Sequence, residues 1–357
     1  MGKLSLAFLA FVLVAAGAIG LTLNHLNYFS NVVSTDQGAT LASCMPVVGM
    51  PGVEDAATDP VSGLAWLSSM DRRERRDTGD VRGEIKSFDP DNPLDPSSWR
   101  DRTGGVPTDF EPLGIDVYAD GQTHRLFVIN EADRSVLIYT ITGQGDLALI
   151  DTLHDARLTS PNAIVAVGPK SFYVTNSTAS SFSSPLSGVE FVAGLGNGSI
   201  LHYDGNSWSE AARGLKFANG LAVSADGEEL YLAEMGSKLV RVYDRDLQLG
   251  TLQPERVIRL DSFPDNLTWG AGGKLLVGAI PKPLQFAAHV GNAEKTAPSQ
   301  LVSIDPASGA VETLYLDDGS RLSGLTVGAR IGGKFLLGSF AENKFLLCDS
   351  PVVTESR

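Results

Sequence analysis

One phrase recurs about every fifty residues along this chain, and it limits the fold more than any other feature. It reads Gly114-Ile115-Asp116-Val117-Tyr118-Ala119-Asp120-Gly121, followed by Leu126-Phe127-Val128. It returns as Gly220-Leu221-Ala222-Val223-Ser224-Ala225-Asp226-Gly227, followed by Leu230-Tyr231-Leu232. Weaker copies begin at Asn162, Asp265 and Ser323, and another at Glu54 leads into Gly63-Leu64-Ala65-Trp66-Leu67. A strand, a glycine-rich turn and a second strand at this period mark the blade of a β-propeller. Six copies of roughly 50 residues fill about 300 residues, so the expected fold is all-β, a six-bladed propeller over residues 44–349.

Rotation about one axis brings equivalent positions of the blades into a ring around the channel. The expected ring holds Glu54, Leu113, Asn162, Asn219, Asp265 with its neighbour Asn266, and Ser323. Five of these seven side chains carry carboxylate or amide oxygens, and none is Cys or His. That donor set suits a hard cation, above all calcium, and argues against zinc or copper. Two plainer readings stand beside a catalytic ion: side chains that only turn strands, and a calcium that only stiffens the ring.

Composition bounds the rest. A formal net charge of −14 argues against nucleic-acid partners, which need a basic face. Residues Leu4 to Leu23 form a 20-residue apolar run without charge, preceded by Lys3. Its length suits a membrane-spanning helix, a signal anchor, while Ala16-Gly17-Ala18 resembles the cleavage site of a signal peptide. A buried core helix is the third reading. The expected organisation is residues 1–23 as signal anchor or signal peptide, 24–43 as polar stalk, 44–349 as propeller and 350–357 as tail. Both export readings place the body outside the cytosol, membrane-anchored or secreted. The only cysteines, Cys44 and Cys348, flank the repeats. A disulfide between them would lock the ring in an exported protein; two free buried thiols are the alternative.

Three inserts leave the blades after equivalent strands and are expected on one face: charge-dense Met70–Arg82, Ser177–Gly196 with Phe182 and Phe191, and Pro281–Ser299 with Leu284, Phe286 and His289. The first reads as a solvated loop or as a mobile lid over the channel. The second reads as a pocket wall, and His289 as a residue able to line it. Glycosylation sequons begin at Asn176, Asn197 and Asn266. The five histidines show no metal spacing. No Gly-x-Ser-x-Gly elbow and no phosphate-binding glycine loop ending in Lys-Ser or Lys-Thr occurs.

Residues Glu54-Asp55, Gly83-Glu84-Ile85-Lys86-Ser87-Phe88, Pro161-Asn162-Ala163-Ile164-Val165-Ala166-Val167-Gly168, Phe217-Ala218-Asn219-Gly220 and Asp265-Asn266 carry a further signal. Jointly they resemble the paraoxonase/arylesterase family of calcium-dependent lactonases and esterases, and more distantly the gluconolactonase-like propellers. The resemblance spans residues of about 40–349, and the cysteine pair and apolar N-terminus match it as well. It implies a central calcium on Glu54, Asn162, Asn219, Asp265 and Asn266. Leu113, Glu131 and Ile280 stand where the family carries histidines, so a histidine dyad is not implied here. Ala163 replaces a carboxylate of the family's second, structural ion and leaves Asp55 without that partner, so that ion is expected to be weakened or missing.

The expected activity is hydrolysis of small apolar esters or lactones. Asp265 is the first choice as base or nucleophile, Glu54 the second, and Glu131 reads as an exposed polar residue or an assisting group at the rim. A non-catalytic, calcium-stabilised propeller that binds a hydrophobic ligand or a protein is the alternative. The N-terminal segment makes a membrane the other expected partner.

Overall fold

Among the described residues, 24 strands form six four-stranded antiparallel sheets, the six-bladed propeller expected from the repeat. The computed structural model describes residues 2–30, 41, 43–89, 91, 99–104, 106–143 and 145–350, with side chains from residue 14 onward. Each blade begins at the channel with one of the strands Val53–Thr58, Pro112–Ala119, Pro161–Ala166, Ala218–Val223, Phe263–Trp269 and Leu325–Ile331. Blades one to five use consecutive strands. The sixth borrows its outermost strand, Cys44–Val48, from the other end of the propeller. Cys44 pairs in register with Cys348, and a disulfide joins them across a sequence separation of 304.

The apolar runs after each phrase are buried on both faces. Leu126 and Val128 pack into a cluster with Trp66 and Ile85 of blade one, while Phe127 and Ile129 face Ile164 and Phe172 of blade three. Successive side chains of a strand point to opposite faces, so a strand sandwiched between blades must be apolar throughout. The core is therefore a series of layers between neighbouring blades. Near the axis the backbones nearly touch: a Cβ on Gly220 would lie 2.4 Å from the Asp265 carbonyl oxygen, and one on Gly114 would lie 2.5 Å from that of Asn162. That contact explains the glycines of the two strongest copies.

Besides the helix α1 (Gly2–His25), three short α-helices occur among the described residues, α2 (Arg72–Thr78), α3 (Pro185–Val192) and α4 (Pro283–Gly291), one in each insert. The charge-dense insert is thus a helix, capped by the Asp71 side chain on the Glu74 amide and stopped at Gly79 with φ 77°. Its arginines fix it in place. Arg72 donates to the carbonyls of Gly52 and Pro112, both at 2.9 Å, and Arg73 donates to Ala341 O at 2.5 Å and His289 O at 2.7 Å.

The end of α1 is fixed too. Leu26 is buried with Met235, Phe263 and Ile280. The His25 imidazole bonds to Gly236 O at 2.9 Å, and the Asn27 amide donates to Asp261 O at 2.9 Å and Pro281 O at 3.1 Å. Lys282 Nζ in turn donates to the carbonyls of Asn27, Tyr28 and Ser30. Residues 25–30, at the start of the expected stalk, therefore sit against the propeller; the stalk's residues 31–40 and 42, and the tail's residues 351–357, lie outside the described residues. Among the described residues no helix is long and apolar enough to cross a membrane.

Candidate active site

Every channel-lining strand breaks register with its neighbour near its start. The shifts fall between Val53 and Asp55, Pro112 and Ile115, Pro161 and Ile164, Ala218 and Leu221, Pro264 and Leu267, and Leu325 and Val327. These irregularities contain Glu54, Leu113, Asn162, Asn219, Asp265 with Asn266, and Thr326. A bulge re-aims side chains away from strict alternation, which lets the adjacent Asp265 and Asn266 both reach one cluster. The sixth ring position is thus Thr326 rather than the expected Ser323. Ser323 sits before the strand, donates to Gly319 O at 2.9 Å and is buried away from the cavity, whereas Thr326 donates to Glu54 O at 2.8 Å. The phrase in the last copy is offset because Gly324 and Leu325 precede the residue at the bulge.

Four of the five expected oxygen donors are hydrogen-bonded in pairs, and Asn162 lines the same cavity as Glu54, Asn219 and Asp265. Asn219 Nδ2 donates to Asp265 Oδ1 at 2.6 Å, and Asn266 Nδ2 donates to the Glu54 carbonyl and to Glu54 Oε1, both at 3.0 Å. Asn162 Nδ2 donates to Ser177 Oγ at 3.0 Å. The three amide nitrogens are thereby used, and the oxygens remain. Glu54 Oε2, Asn162 Oδ1, Asn219 Oδ1 and Asn266 Oδ1 are buried and have no hydrogen-bond partner. Buried acceptors without donors are costly, on the order of 1–3 kcal/mol each. All four are acceptors, the kind of atom a cation takes as ligand. With the Asp265 carboxylate they supply oxygens from five side chains, which fits calcium and leaves coordination positions for other oxygens. Among the described residues no three His, Cys, Asp or Glu side chains are grouped to hold a metal; the cluster's character is mixed carboxylate and amide.

Burial, opposed by the Arg72 charge and the Asn266 hydrogen bond, pushes the Glu54 carboxyl up. Burial, with the Glu54 charge adding to it, pushes Asp265 well above the carboxylate range. Two such acids beside each other favour any cation that neutralises both. Asp55 points elsewhere. It accepts from the Ala56 and Ile115 amides at 2.8 and 2.9 Å and stitches blade one to blade two. Both its oxygens have backbone partners.

The cluster opens into a cavity of about 890 Å³ lined by Glu54, Asn162, Asn219 and Asp265. All three inserts contribute to its walls, Arg72 and Arg75 from α2, Phe191 from α3, and Leu284 and Phe286 from α4. Leu113 lines it as well, in the place of a polar ring residue. Two side chains depart from expectation. His289, expected to be able to line the pocket, is 1% exposed beneath α4, where its Nδ1 donates to Lys295 O at 2.7 Å and its Nε2 accepts from Arg73 at 3.1 Å. Glu131 is not simply exposed: it lines the cavity with Glu111, and its backbone amide donates to the Glu111 carbonyl at 2.9 Å. Glu111, Arg72 and Arg75 carry no sequence signal of their own, since only the packing of α2 on the second blade gathers them. Of the sequons, Asn176 and Asn266 are buried with their amides engaged, and Asn197 is exposed.

The comparisons with known proteins agree with this architecture. The family model described as Arylesterase matches residues 88–350. The chain is 30% identical to serum paraoxonase/arylesterase 1 of Mus musculus over 368 residues, covering 94% of this chain and 99% of the relative. It is 30% identical to serum paraoxonase/lactonase 3 of Homo sapiens over 318 residues, covering 84% and 86%. Among solved structures, a gluconolactonase of Xanthomonas campestris superposes with a TM-score of 0.57 at 15% identity, covering 89% of this chain and 93% of that one. A regucalcin of Agrobacterium tumefaciens does so with a TM-score of 0.55 at 14% identity, covering 88% and 95%. The structural likenesses establish the propeller alone. The family match extends from Phe88, where the third strand of the first blade ends, through Cys348 to Ser350, and the sequence relatives extend it over nearly the whole chain, so this protein belongs to the arylesterase family.

Proposed function

We propose that the protein hydrolyses small carboxylic esters or lactones at one calcium ion held by Glu54, Asn162, Asn219, Asp265 and Asn266. The observation that carries this reading is the set of four buried, partnerless oxygens beside a cavity with apolar walls. Calcium bound there supplies Lewis-acid polarisation of the substrate carbonyl. The chain's own residues do the rest. Asn219 occupies Asp265 Oδ1 and so fixes the carboxylate's orientation. Asp265 is the proposed general base for a water, or a direct nucleophile, and Glu54 is the second choice. Phe191, Phe217, Leu284 and Phe286 pack around Leu26, Met235 and Phe263 and give the substrate's apolar part a dry wall. The names of the relatives, which include both arylesterase and lactonase, support the substrate class.

The test uses the full chain and a panel of lactones with phenyl acetate, with calcium, with a chelator, and with Asp265→Ala. Hydrolysis that needs both calcium and Asp265 is the expected result. No hydrolysis, in a protein that calcium still stabilises, overturns the reading in favour of a non-catalytic, ligand-binding propeller.

Residence outside the cytosol is proposed from the disulfide and from the serum relatives. Ile19, Leu21, Tyr28 and Phe29 around the end of α1, with Leu186 and Val189 of α3, expose apolar surface. This supports membrane association through the N-terminal segment, as a signal anchor or as an interfacial contact. Co-sedimentation of the full chain with lipid vesicles, lost on Tyr28→Ser with Phe29→Ser, tests it.

A further inference from the structure

The calcium cluster leaves one pair of acids in the cavity without a role. Glu111 and Glu131 flank the first and second strands of blade two, where the Glu131 amide donates to Glu111 O at 2.9 Å and the Glu111 amide donates to Asn130 Oδ1 at 2.8 Å. Both side chains line the cavity that also exposes Asp265. Their carboxyls face the same cavity closely enough for the Glu111 charge to push Glu131 up. Arg75 distinguishes the two. Its Nε donates to Glu111 Oε1 at 2.8 Å, and its Nη2 lies 2.7 Å from the same oxygen and 2.5 Å from Asp109 Oδ1. That guanidinium occupies Glu111, whereas Glu131, among the described residues, has no cation within ion-pair distance and is the acid free to hold a proton.

The electrostatics agree. Burial and the Glu111 charge outweigh the opposing charges of Arg72 and Arg75 and raise Glu131 to about 7. The Arg72 guanidinium lies 4.3 Å above the Phe340 ring, one turn from Arg75 on the same side of α2.

We propose that Glu131 is the proton donor to the leaving oxygen, with Glu111 and Arg75 as its positioning residues. This rests on the ester-hydrolase reading. Asp265 takes a proton from water as the water oxygen bonds to the carbonyl carbon. The carbon–oxygen bond to the leaving group then breaks, and the Glu131 proton moves to that oxygen. The proton on Asp265 returns to Glu131 through solvent, so each turnover consumes one water. Acid and base are thus two carboxyl groups whose surroundings assign them opposite tasks.

A proton donor matters most when the leaving group is a poor one. In the full chain with calcium, Glu131→Gln is expected to lower kcat/KM for an aliphatic δ-lactone by about 10²-fold or more, the usual scale of general acid catalysis. Hydrolysis of 4-nitrophenyl acetate, whose leaving anion needs no proton, is expected to stay within a few-fold of wild type. Wild type should lose rate above about pH 7 on the lactone but not on the nitrophenyl ester. Glu111→Gln removes a neighbouring negative charge and moves that alkaline limb to lower pH.

Equal losses on both substrates, or no loss on either, overturn the assignment, as does an alkaline limb shared by both substrates. The wild-type pH profiles decide the matter even where a variant fails to fold. Dependence on calcium and Asp265 that persists through such a result leaves the hydrolase reading standing. Absence of hydrolysis by wild type on both substrates removes both.

Discussion

Asn219 and Asp265 sit on neighbouring blades, 46 residues apart in sequence, with Asn219 Nδ2 2.6 Å from Asp265 Oδ1. Each residue occupies the bulge of its own strand, and Gly220 lets the two backbones approach. The bond turns the amide oxygen of Asn219 outward from the pair, where it has no donor. One contact thus sets the orientation of a carboxylate and of a fourth-blade oxygen.

Asn219→Ala should weaken calcium by about 10–100-fold, the scale seen when groups that orient or ligate a metal are lost. It removes an oxygen and frees Asp265 to rotate. Calorimetric titration with calcium checks this, and unchanged affinity would remove Asn219 from the ligand set.

Calcium should stabilise the fold, by about 2.7 kcal/mol at one hundred times its dissociation constant. The effect has a sign with pH. The folded-state shifts of Glu54 and Asp265 are upward, chiefly through burial. Their contribution to the stability of the calcium-free protein is therefore complete below the unfolded carboxylate range of about 4 and lost as pH rises through the folded values. Calcium neutralises the same charges and cancels that loss. The drop in Tm on adding a chelator is expected to be larger at pH 8 than at pH 5; an equal or reversed difference in scanning calorimetry counts against a site built on these two acids.

Cys44→Ser with Cys348→Ser should cost about 2–5 kcal/mol in denaturant unfolding, because the bond closes almost the whole propeller. The borrowed strand keeps its ladder in the variant, and the disulfide lies away from the cavity. Little change in kcat is expected, so a large loss of activity in a folded variant would contradict this division.

Leu26→Ala should destabilise by about 2–5 kcal/mol, as for other buried leucines. Its neighbours include Phe191, Phe217 and Leu284 of the cavity wall. KM for apolar substrates should therefore rise more than kcat falls. An unchanged KM in a folded variant would show that the docked end of α1 does not shape the site.

The ring was legible in the sequence because rotation converts a linear period into equivalent positions. Glu54, Asn162, Asn219 and Asp265 could be singled out from the phrase itself. Ser323 was misplaced because the last copy keeps the phrase while the bulge falls at Thr326. Glu131 read as a polar residue after a strand, since neither its partner Glu111 nor the arginines of α2 are periodic. His289 read as a residue able to line the pocket, yet its ring turns beneath α4 toward Lys295 and Arg73.

By itself, then, the sequence determined the blade count, the sandwiched apolar strands, the ring of oxygens and the cysteines at the closure. Each follows from local pattern repeated at a fixed period. Tertiary structure decided which atoms of that ring remain partnerless, how α2 joins two acids to two arginines, and where Leu26 completes the wall. Those depend on distances between blades and inserts far apart in the chain, and hydrogen-bond geometry and burial exist only once the ring has closed.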